Sequence, residues 1–259
     1  MNRTDYGTAL VTGGGSGIGR AAALELARRG ATVAVTDLNA DAAKAVAAEI
    51  TGQGGTAVGL AMNVADPEAI EAGFGQAEEQ LGGIDILVNS AGLLIVEPVL
   101  EFSLASWSRV MAINLTGTFL CSQRAGHGMA ARGYGRIVNI ASVSGMRAGV
   151  GRTAYGTSKA AILGLTRQFA LELAGAGVTT NAVAPGVVET PMTMNAYGQE
   201  TWDRTLAMVP ARRAGTPQDI AGAIAYLTGP GAGYVNGEVL TVDGGYVAAG
   251  MTQTGTLRI

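Results

Sequence analysis

Residues 8–37 read TALVTGGGSGIGRAAALELARRGATVAVTD. Two short runs rich in Val and Thr, 8–12 and 32–37, enclose an alanine- and leucine-rich stretch at 17–29 that stops at Gly30. This pattern predicts strand, helix, strand, with the second strand parallel to the first. Between the first strand and the helix lies the turn GGGSGIG, residues 13–19. Glycines there let the backbone approach a pyrophosphate, whose charge then faces the helix N-terminus. A tight turn alone could look alike in a chain with 40 glycines, so the place of the motif in the first βαβ unit carries the weight. Asp37 closes the second strand, where a carboxylate can accept from both hydroxyls of an adenosine ribose. Positions 16 and 38 are Ser and Leu, so neither offers a cation to a 2′-phosphate, and Asp37 would repel one. NAD is therefore predicted over NADP.

Outward from this unit the alternation continues. Strand-like runs fall at 56–64, 85–89, 136–142, 178–184 and 238–243, and helical patterns at 40–52, 67–81, 103–132, 155–174 and 216–228. Pro67 and Pro217 sit in expected first turns. The strand runs are nearly continuous in apolar residues, as strands buried on both faces require. The expected fold is α/β: a single Rossmann-type, doubly wound domain over residues 1–259, with seven parallel strands and helices on both faces. At 259 residues and 48% apolar the chain is long enough for one large core. A net charge of −3 gives no polyelectrolyte signal for nucleic acid. Cys121 is the single cysteine and His127 the single histidine, which rules out an intrachain disulfide and a Cys/His zinc cluster; no metal is expected. The first residues show no signal-peptide apolar region, and no run is long enough to span a bilayer, so a cytoplasmic location is expected.

The chain has 17 basic residues, of which two, Lys44 and Lys159, are lysine. Lys159 follows Tyr155 by four positions on a predicted helix, which places both on one face. A free phenol has a pKa near 10, too high for acid–base work at neutral pH. A nearby ammonium favours the phenolate. Arginine would supply charge, but lysine's compact ammonium can reach ribose hydroxyls and the phenol together. A plain surface lysine on an amphipathic helix is the alternative.

TGGGSGIG (12–19), NSAG (89–92), Asn114 in INLTG, Ser142 in NIASVSG, YGTSK (155–159), PGVVET (185–190) and VDGG (242–245) occur in this order. Together, from about residue 7 to 247, they resemble the short-chain dehydrogenases/reductases. That resemblance implies Tyr155 as general acid/base, Ser142 as hydrogen-bond partner of the substrate oxygen, and Lys159 as binder of the nicotinamide ribose. Asn114 would hold a water in a proton relay ending at Lys159. It assigns the cofactor to Gly13, Ser16, Gly17, Ile18 and Gly19 in the turn and to Asp37 and Leu38 after the second strand. Asn63 and Val64 would meet the adenine, with Asn63 standing where the family more often has aspartate. Asn89, Ala91 and Gly92 would flank the adenosine ribose. Pro185, Gly186, Val188 and Thr190 would hold the nicotinamide, together with Tyr155 and Lys159.

The expected reaction is hydride transfer between nicotinamide and a secondary alcohol or ketone such as a polyol, sugar or hydroxy acid. Substrate contacts are expected from Ser142, Ser144, Arg152, Tyr155, Met192 and Tyr197. Residues 190–215 read as a lid over substrate. Arg147 and Arg152, with Arg212 and Arg213, leave open an anionic carboxylate or sulfonate substrate. A 3-oxoacyl carrier-protein reductase is a second alternative, although Asp37 and the negative net charge oppose NADPH and a basic docking patch. A non-catalytic NAD(H) sensor is a third, but it would be expected to lack one of Asn114, Ser142, Tyr155 and Lys159. A homotetramer is expected, with the C-terminal tail 246–259 placing Leu257 and Ile259 against a neighbouring subunit.

Overall fold

In the first strand, β1 (Thr8–Thr12), Ala9 and Val11 belong to one buried apolar cluster while Leu10 belongs to another. Successive side chains of a strand face opposite ways, so β1 has a core on each side. The computed structural model describes residues 6–250. Its seven strands are β1, β2 (Thr32–Asp37), β3 (Ala57–Ala61), β4 (Ile86–Asn89), β5 (Gly135–Ile140), β6 (Val178–Pro185) and β7 (Val239–Val242). They form one parallel sheet in the order β3-β2-β1-β4-β5-β6-β7. The order reverses between β1 and β4, and the crevice at such a reversal is where open α/β sheets bind ligands.

On one face lie α1 (Gly17–Arg28), α2 (Ala40–Gly52) and α9 (Pro217–Thr228), which bring Leu26, Ile50 and Ile224 to Val33, Val35 and Val88. On the other face lie α3 (Pro67–Leu81) and α5 (Gly117–Arg132), whose Phe74 and Met129 meet Leu10, Leu87 and Ile137. Helix α6 (Thr153–Leu173) adds a smaller cluster, packing Ile162 on Ala182 and Ala184. Local chemistry sets the helix ends. Pro67 and Pro217 begin α3 and α9, and Asp66 and Thr216 cap them. After α1, Gly30 takes φ of 92°, while Ala31 N–H bonds Leu26 O at 3.0 Å and Gly30 N–H bonds Ala27 O at 2.9 Å.

Two expectations need correction. The stretch 103–132 is not one regular helix: α4 (Leu104–Met111) and α5 are joined by a π-helical turn over Ala112–Thr116. Thr118 hydroxyl donates to Asn114 O at 2.8 Å, satisfying a carbonyl that the wider turn frees. The third strand ends at Ala61, so 62–64 leave the sheet. The region 190–215 contains two short helices, α7 (Pro191–Ala196) and α8 (Gln199–Met208), neither with a fully buried residue. The tail residues Leu257 and Ile259 lie outside the described residues.

A buried polar ladder ties the centre of the sheet to α5 and α6. Asn89 Nδ2 donates to Ser122 Oγ at 2.9 Å and to Asn139 Oδ1 at 2.8 Å, and Asn139 Nδ2 donates to Thr166 Oγ1 at 3.0 Å. Asn139 is fully buried, so an alanine there removes two bonds and opens a gap between β5 and α6. Asn139→Ala is expected to cost about 1–3 kcal/mol in urea unfolding; an unchanged midpoint would show the ladder to be energetically idle.

Candidate active site

Six of the seven strands carry their C-terminal ends to one cleft of about 380 Å³, lined after β1 by Gly13, at β2 by Asp37, after β3 by Met62, after β4 by Ser90, at β5 by Ile140 and at β6 by Pro185. Gly13 and Gly17 hold φ of 63° and 51°, a region that strains other residues. A Cβ on Gly13 would lie 2.8 Å from Ala91 Cα, and one on Gly19 would collide with the Gly13 carbonyl. Ser16 precedes α1 without capping it, so no side chain occupies the N–H groups of that helix's first turn. Those donors suit an anion. Asp37 is fixed beside them, its carboxylate accepting from Gly15 N–H at 3.0 Å and Asn39 N–H at 2.9 Å. Thr12 Oγ1 accepts from the N–H groups of Ser90 and Ala91, both at 3.1 Å, which fastens the loop after β4 to the first turn. This glycine cradle and its free donors fit the pyrophosphate and ribose of a dinucleotide.

At the other end of the cleft, Tyr155 lies in the first turn of α6 and Lys159 one turn later. Lys159 Nζ donates to Ile140 O at 2.6 Å and lies 5.7 Å from the Tyr155 ring centre. Burial pushes the Lys159 ammonium down to about 8. Burial pushes the Tyr155 phenol up; a hydrogen bond with Ser142 opposes this, the nearby Tyr197 reinforces it and the Arg152 charge opposes it. Ser142 sits between β5 and α6, with its Oγ accepting from Ser144 N–H at 3.1 Å. In the π-helical turn Asn114 is fully buried: its Oδ1 accepts from Leu93 N–H at 2.7 Å, and its Nδ2 donates to Leu93 O and Ser158 Oγ, each at 3.0 Å. A Cβ on Gly92 would lie 3.6 Å from Asn114 Oδ1 and 3.8 Å from Lys159 Nζ. The missing side chain therefore leaves room beside both groups.

The cleft thus gathers the expected residues of the first turn, Asp37 and Leu38, Asn63 and Val64, Ala91 and Gly92, Ser142, Tyr155 and Lys159, Pro185, Gly186, Val188 and Thr190, and Met192. Among the expected cofactor residues Asn89 is the exception: its side chain belongs to the buried ladder between β4 and β5 and does not line the cleft. The motif identified it, but its strand position turns it inward. Asn114 lies behind the wall. Ser144, Arg152 and Tyr197 form an adjoining cluster in which Arg152 Nη1 donates to Ser144 Oγ at 2.9 Å and Nη2 donates to the Tyr197 hydroxyl. Of the other arginines, Arg213 pairs with Asp219 at 2.7 Å and Arg147 donates to Val247 O at 2.6 Å. Sequence reading missed Arg109 and Ile113, which also line the cleft. Their four-residue spacing on an interrupted helix was the available signal. Among the described residues there is no cluster of three or more potential metal ligands, and no helix is long and apolar enough to cross a membrane.

A family model described as enoyl-(acyl carrier protein) reductase matches residues 13–247. A 3-oxoacyl-[acyl-carrier-protein] reductase of Aquifex aeolicus is 43% identical over 237 residues, covering 91% of this chain and 95% of the relative. The chain belongs to the short-chain dehydrogenases/reductases. A D-threitol dehydrogenase of Mycolicibacterium smegmatis is 41% identical, with 94% of each chain covered. Among solved structures, a proposed NAD(P)-dependent gluconate 5-dehydrogenase of Beutenbergia cavernae, with NADP bound at low occupancy, superposes with a TM-score of 0.91. It is 40% identical and covers 96% of this chain and 99% of its own. The chain is thus an oxidoreductase of this family.

The Lys159 environment has a signature in stability. Between pH 8 and its ordinary value of 10.5, the unfolded chain holds the proton and the folded one releases it. Stability contributed by this group therefore rises with pH across that window, and the burial cost is fully present below it. Thermal melts of the wild type and Lys159→Met are expected to show the wild type gaining relative to the variant from pH 8 to 10. A constant difference would contradict the lowered ammonium.

Proposed function

We propose that this chain is an NAD(H)-dependent oxidoreductase acting on the secondary alcohol or ketone of a small substrate. The observation that carries the reading is the meeting of Ser142, Tyr155 and Lys159 at one end of a cleft whose other end presents Asp37. The N–H groups opening α1 would hold the pyrophosphate and Asp37 the adenosine ribose. Ile18, Leu38, Asn63, Val64, Ala91 and Gly92 would enclose the adenosine half, and Pro185, Gly186, Val188 and Thr190 the nicotinamide half. Bound there, the cofactor supplies the hydride acceptor, or in its reduced form the donor.

The protein's own work is on the proton. In oxidation the Tyr155 phenolate takes the hydroxyl proton as the carbinol C–H electrons leave; in reduction the phenol returns that proton to the carbonyl oxygen. Ser142 directs a hydrogen bond to the same oxygen. Lys159 and the positive end of α6 both favour the phenolate against the burial that opposes it. Asn114 joins a water-borne relay to Lys159 through the space beside Gly92. Residues 190–215, with Met192 on the cleft, serve as the lid.

Asp37 favours NAD, because a 2′-phosphate placed against its carboxylate would meet like charge. A carrier-protein ketoreductase is the second reading, favoured by the identity to the A. aeolicus relative. One panel with NAD(H) and NADP(H) separates the two: small alcohols oxidised with NAD support the first, and thioester ketones reduced with NADPH support the second.

The assembly we infer is a homotetramer. Val96, Val99, Leu100 and Val150 are exposed apolar side chains in the loops before α4 and α6, Leu104 is exposed at the start of α4, and Leu171 is exposed on α6. Light scattering is expected to give four times the 26.1 kDa chain mass; a monomeric mass would refute it.

Tyr155→Phe keeps the ring and removes the transferable proton. It should lower kcat by about 100-fold or more while NADH binding, followed by fluorescence, stays near wild type. Retention of most of the rate would remove Tyr155 from its role. In the wild type, kcat/KM for oxidation should rise with pH as the phenolate forms, and that for reduction should fall; parallel profiles would refute the assignment.

A further inference from the structure

The sheet ends at β3, the neighbour of β2, and Met62 N–H ties the loop after β3 to Asp37 O at 2.8 Å. With the pyrophosphate at α1 and the ribose on Asp37, a dinucleotide has one direction left for its base, across β2 towards the residues that follow β3. Met62, Asn63 and Val64 line the cleft there. Ile113, from the π-helical turn, packs against the cluster that contains Met62 and Val64. A Cβ on Gly117 would lie 2.5 Å from Val64 O, so the start of α5 closes tightly on the same loop. Apolar groups thus meet the faces of a base. Within this loop the side chain able to read its polar edge is Asn63.

Asn63 is not free to choose which amide atom it presents. Its Oδ1 accepts from Ala65 N–H at 3.1 Å, and its backbone carbonyl accepts from Asp66 N–H at 3.1 Å. These two bonds close the turn that leads into α3. Turning the amide over would set Nδ2 against the Ala65 N–H, donor against donor, and lose the first bond. The remaining atom is therefore Nδ2, which carries two donors. Asn63 is exposed, and among the described residues nothing accepts from Nδ2. An aspartate here could hold the turn with one oxygen and offer the other as an acceptor. Asparagine holds the turn and offers a donor instead.

Resting on the nucleotide-cofactor part of the proposed function, we propose that Asn63 is a specificity residue of the base subsite and selects for an acceptor at C6 of the purine. The 6-amino group of adenine is a donor and meets Nδ2 unfavourably. The 6-carbonyl of hypoxanthine is an acceptor and completes the pair. Adenine is still held by the ribose, the pyrophosphate and the apolar walls, without a partner for its amino group from Asn63. The cleft therefore takes a nicotinamide hypoxanthine dinucleotide at least as well as the adenine form.

The test measures dissociation constants of NADH and of its hypoxanthine counterpart, deamino-NADH, by calorimetry on the wild type, Asn63→Asp and Asn63→Ala. The wild type should bind deamino-NADH as tightly as NADH or more tightly. Asn63→Asp keeps an acceptor for Ala65 N–H and replaces the donor by a second acceptor. It should move the ratio of the two constants about tenfold or more in favour of NADH. Asn63→Ala, with neither group, should fall between, and circular dichroism checks the fold of both variants. If Asn63→Ala does not fold, Asn63→Asp decides alone. A merely structural role would weaken both ligands alike. A ratio unchanged in Asn63→Asp, or a wild type that prefers NADH by about threefold or more, overturns the proposal and leaves the cofactor reading intact. If NADPH binds and NADH does not, the Asp37 reading falls, and the same ratios taken with NADPH and deamino-NADPH decide Asn63. If no dinucleotide binds, the cofactor reading falls and this proposal with it.

Discussion

The bond from Lys159 Nζ to the carbonyl of Ile140, 2.6 Å long, fixes much of the site. Ile140 ends β5, and Ser142 follows two residues later; Lys159 lies one helical turn beyond Tyr155 in α6. One contact therefore sets strand end, hydroxyl, phenol and ammonium relative to each other. Burying an ammonium without a carboxylate is unfavourable, which is why its proton is held more loosely than in water. The fold accepts that cost at the point where a compact, adjustable positive charge is useful. An arginine could not make this contact in the same space, because its planar fork needs a wider set of acceptors.

Around that bond the polar interior is organised in two layers. Deeper, Asn89, Ser122, Asn139 and Thr166 pair across β4, β5, α5 and α6 and hold the strand ends level. Nearer the cleft, Asn114 bridges the loop after β4 to Ser158 on α6, from a π-helical turn that gives it the reach. Neither layer depends on a salt bridge. Buried amides and hydroxyls pair directionally without the desolvation cost of ions, so they set geometry at lower energetic cost.

The charged groups are distributed differently. Among the described residues seven arginines pair with acids, and the exposed pairs on helix surfaces, such as Arg28–Glu25 and Arg204–Glu200, contribute little to stability. Arg152 and Lys159 lie beside the reacting end with neutral partners, and Asp37 closes the opposite end. The cleft thus has a negative group where a ribose is expected and the Lys159 ammonium at the end that holds Ser142 and Tyr155. This polarity gives a dinucleotide one favoured orientation.

Strand–helix alternation, the glycine turn, Asp37 and the Tyr155–Lys159 spacing were legible in the sequence, because each rests on local periodicity or on a short motif with its own geometry. So was membership of the family, since several weak motifs in fixed order are specific together. Which way a side chain faces was not legible. Asn89 belongs to a cofactor motif by its letters, yet the pleat of β4 turns it into the sheet's interior ladder. The π-helical turn at 112–116 was hidden, because helical periodicity gives no sign of one extra residue in a turn. Arg147, Arg152 and Arg213 looked alike as cations near the site. Only the tertiary contacts separate them: Arg213 on the acid capping α9, Arg147 on the backbone at Val247, and Arg152 between two hydroxyls with its charge unmatched. Sequence fixes which groups a chain has, but a charge acquires its role from the partners that folding brings within hydrogen-bond distance, and those come from segments far apart in the chain.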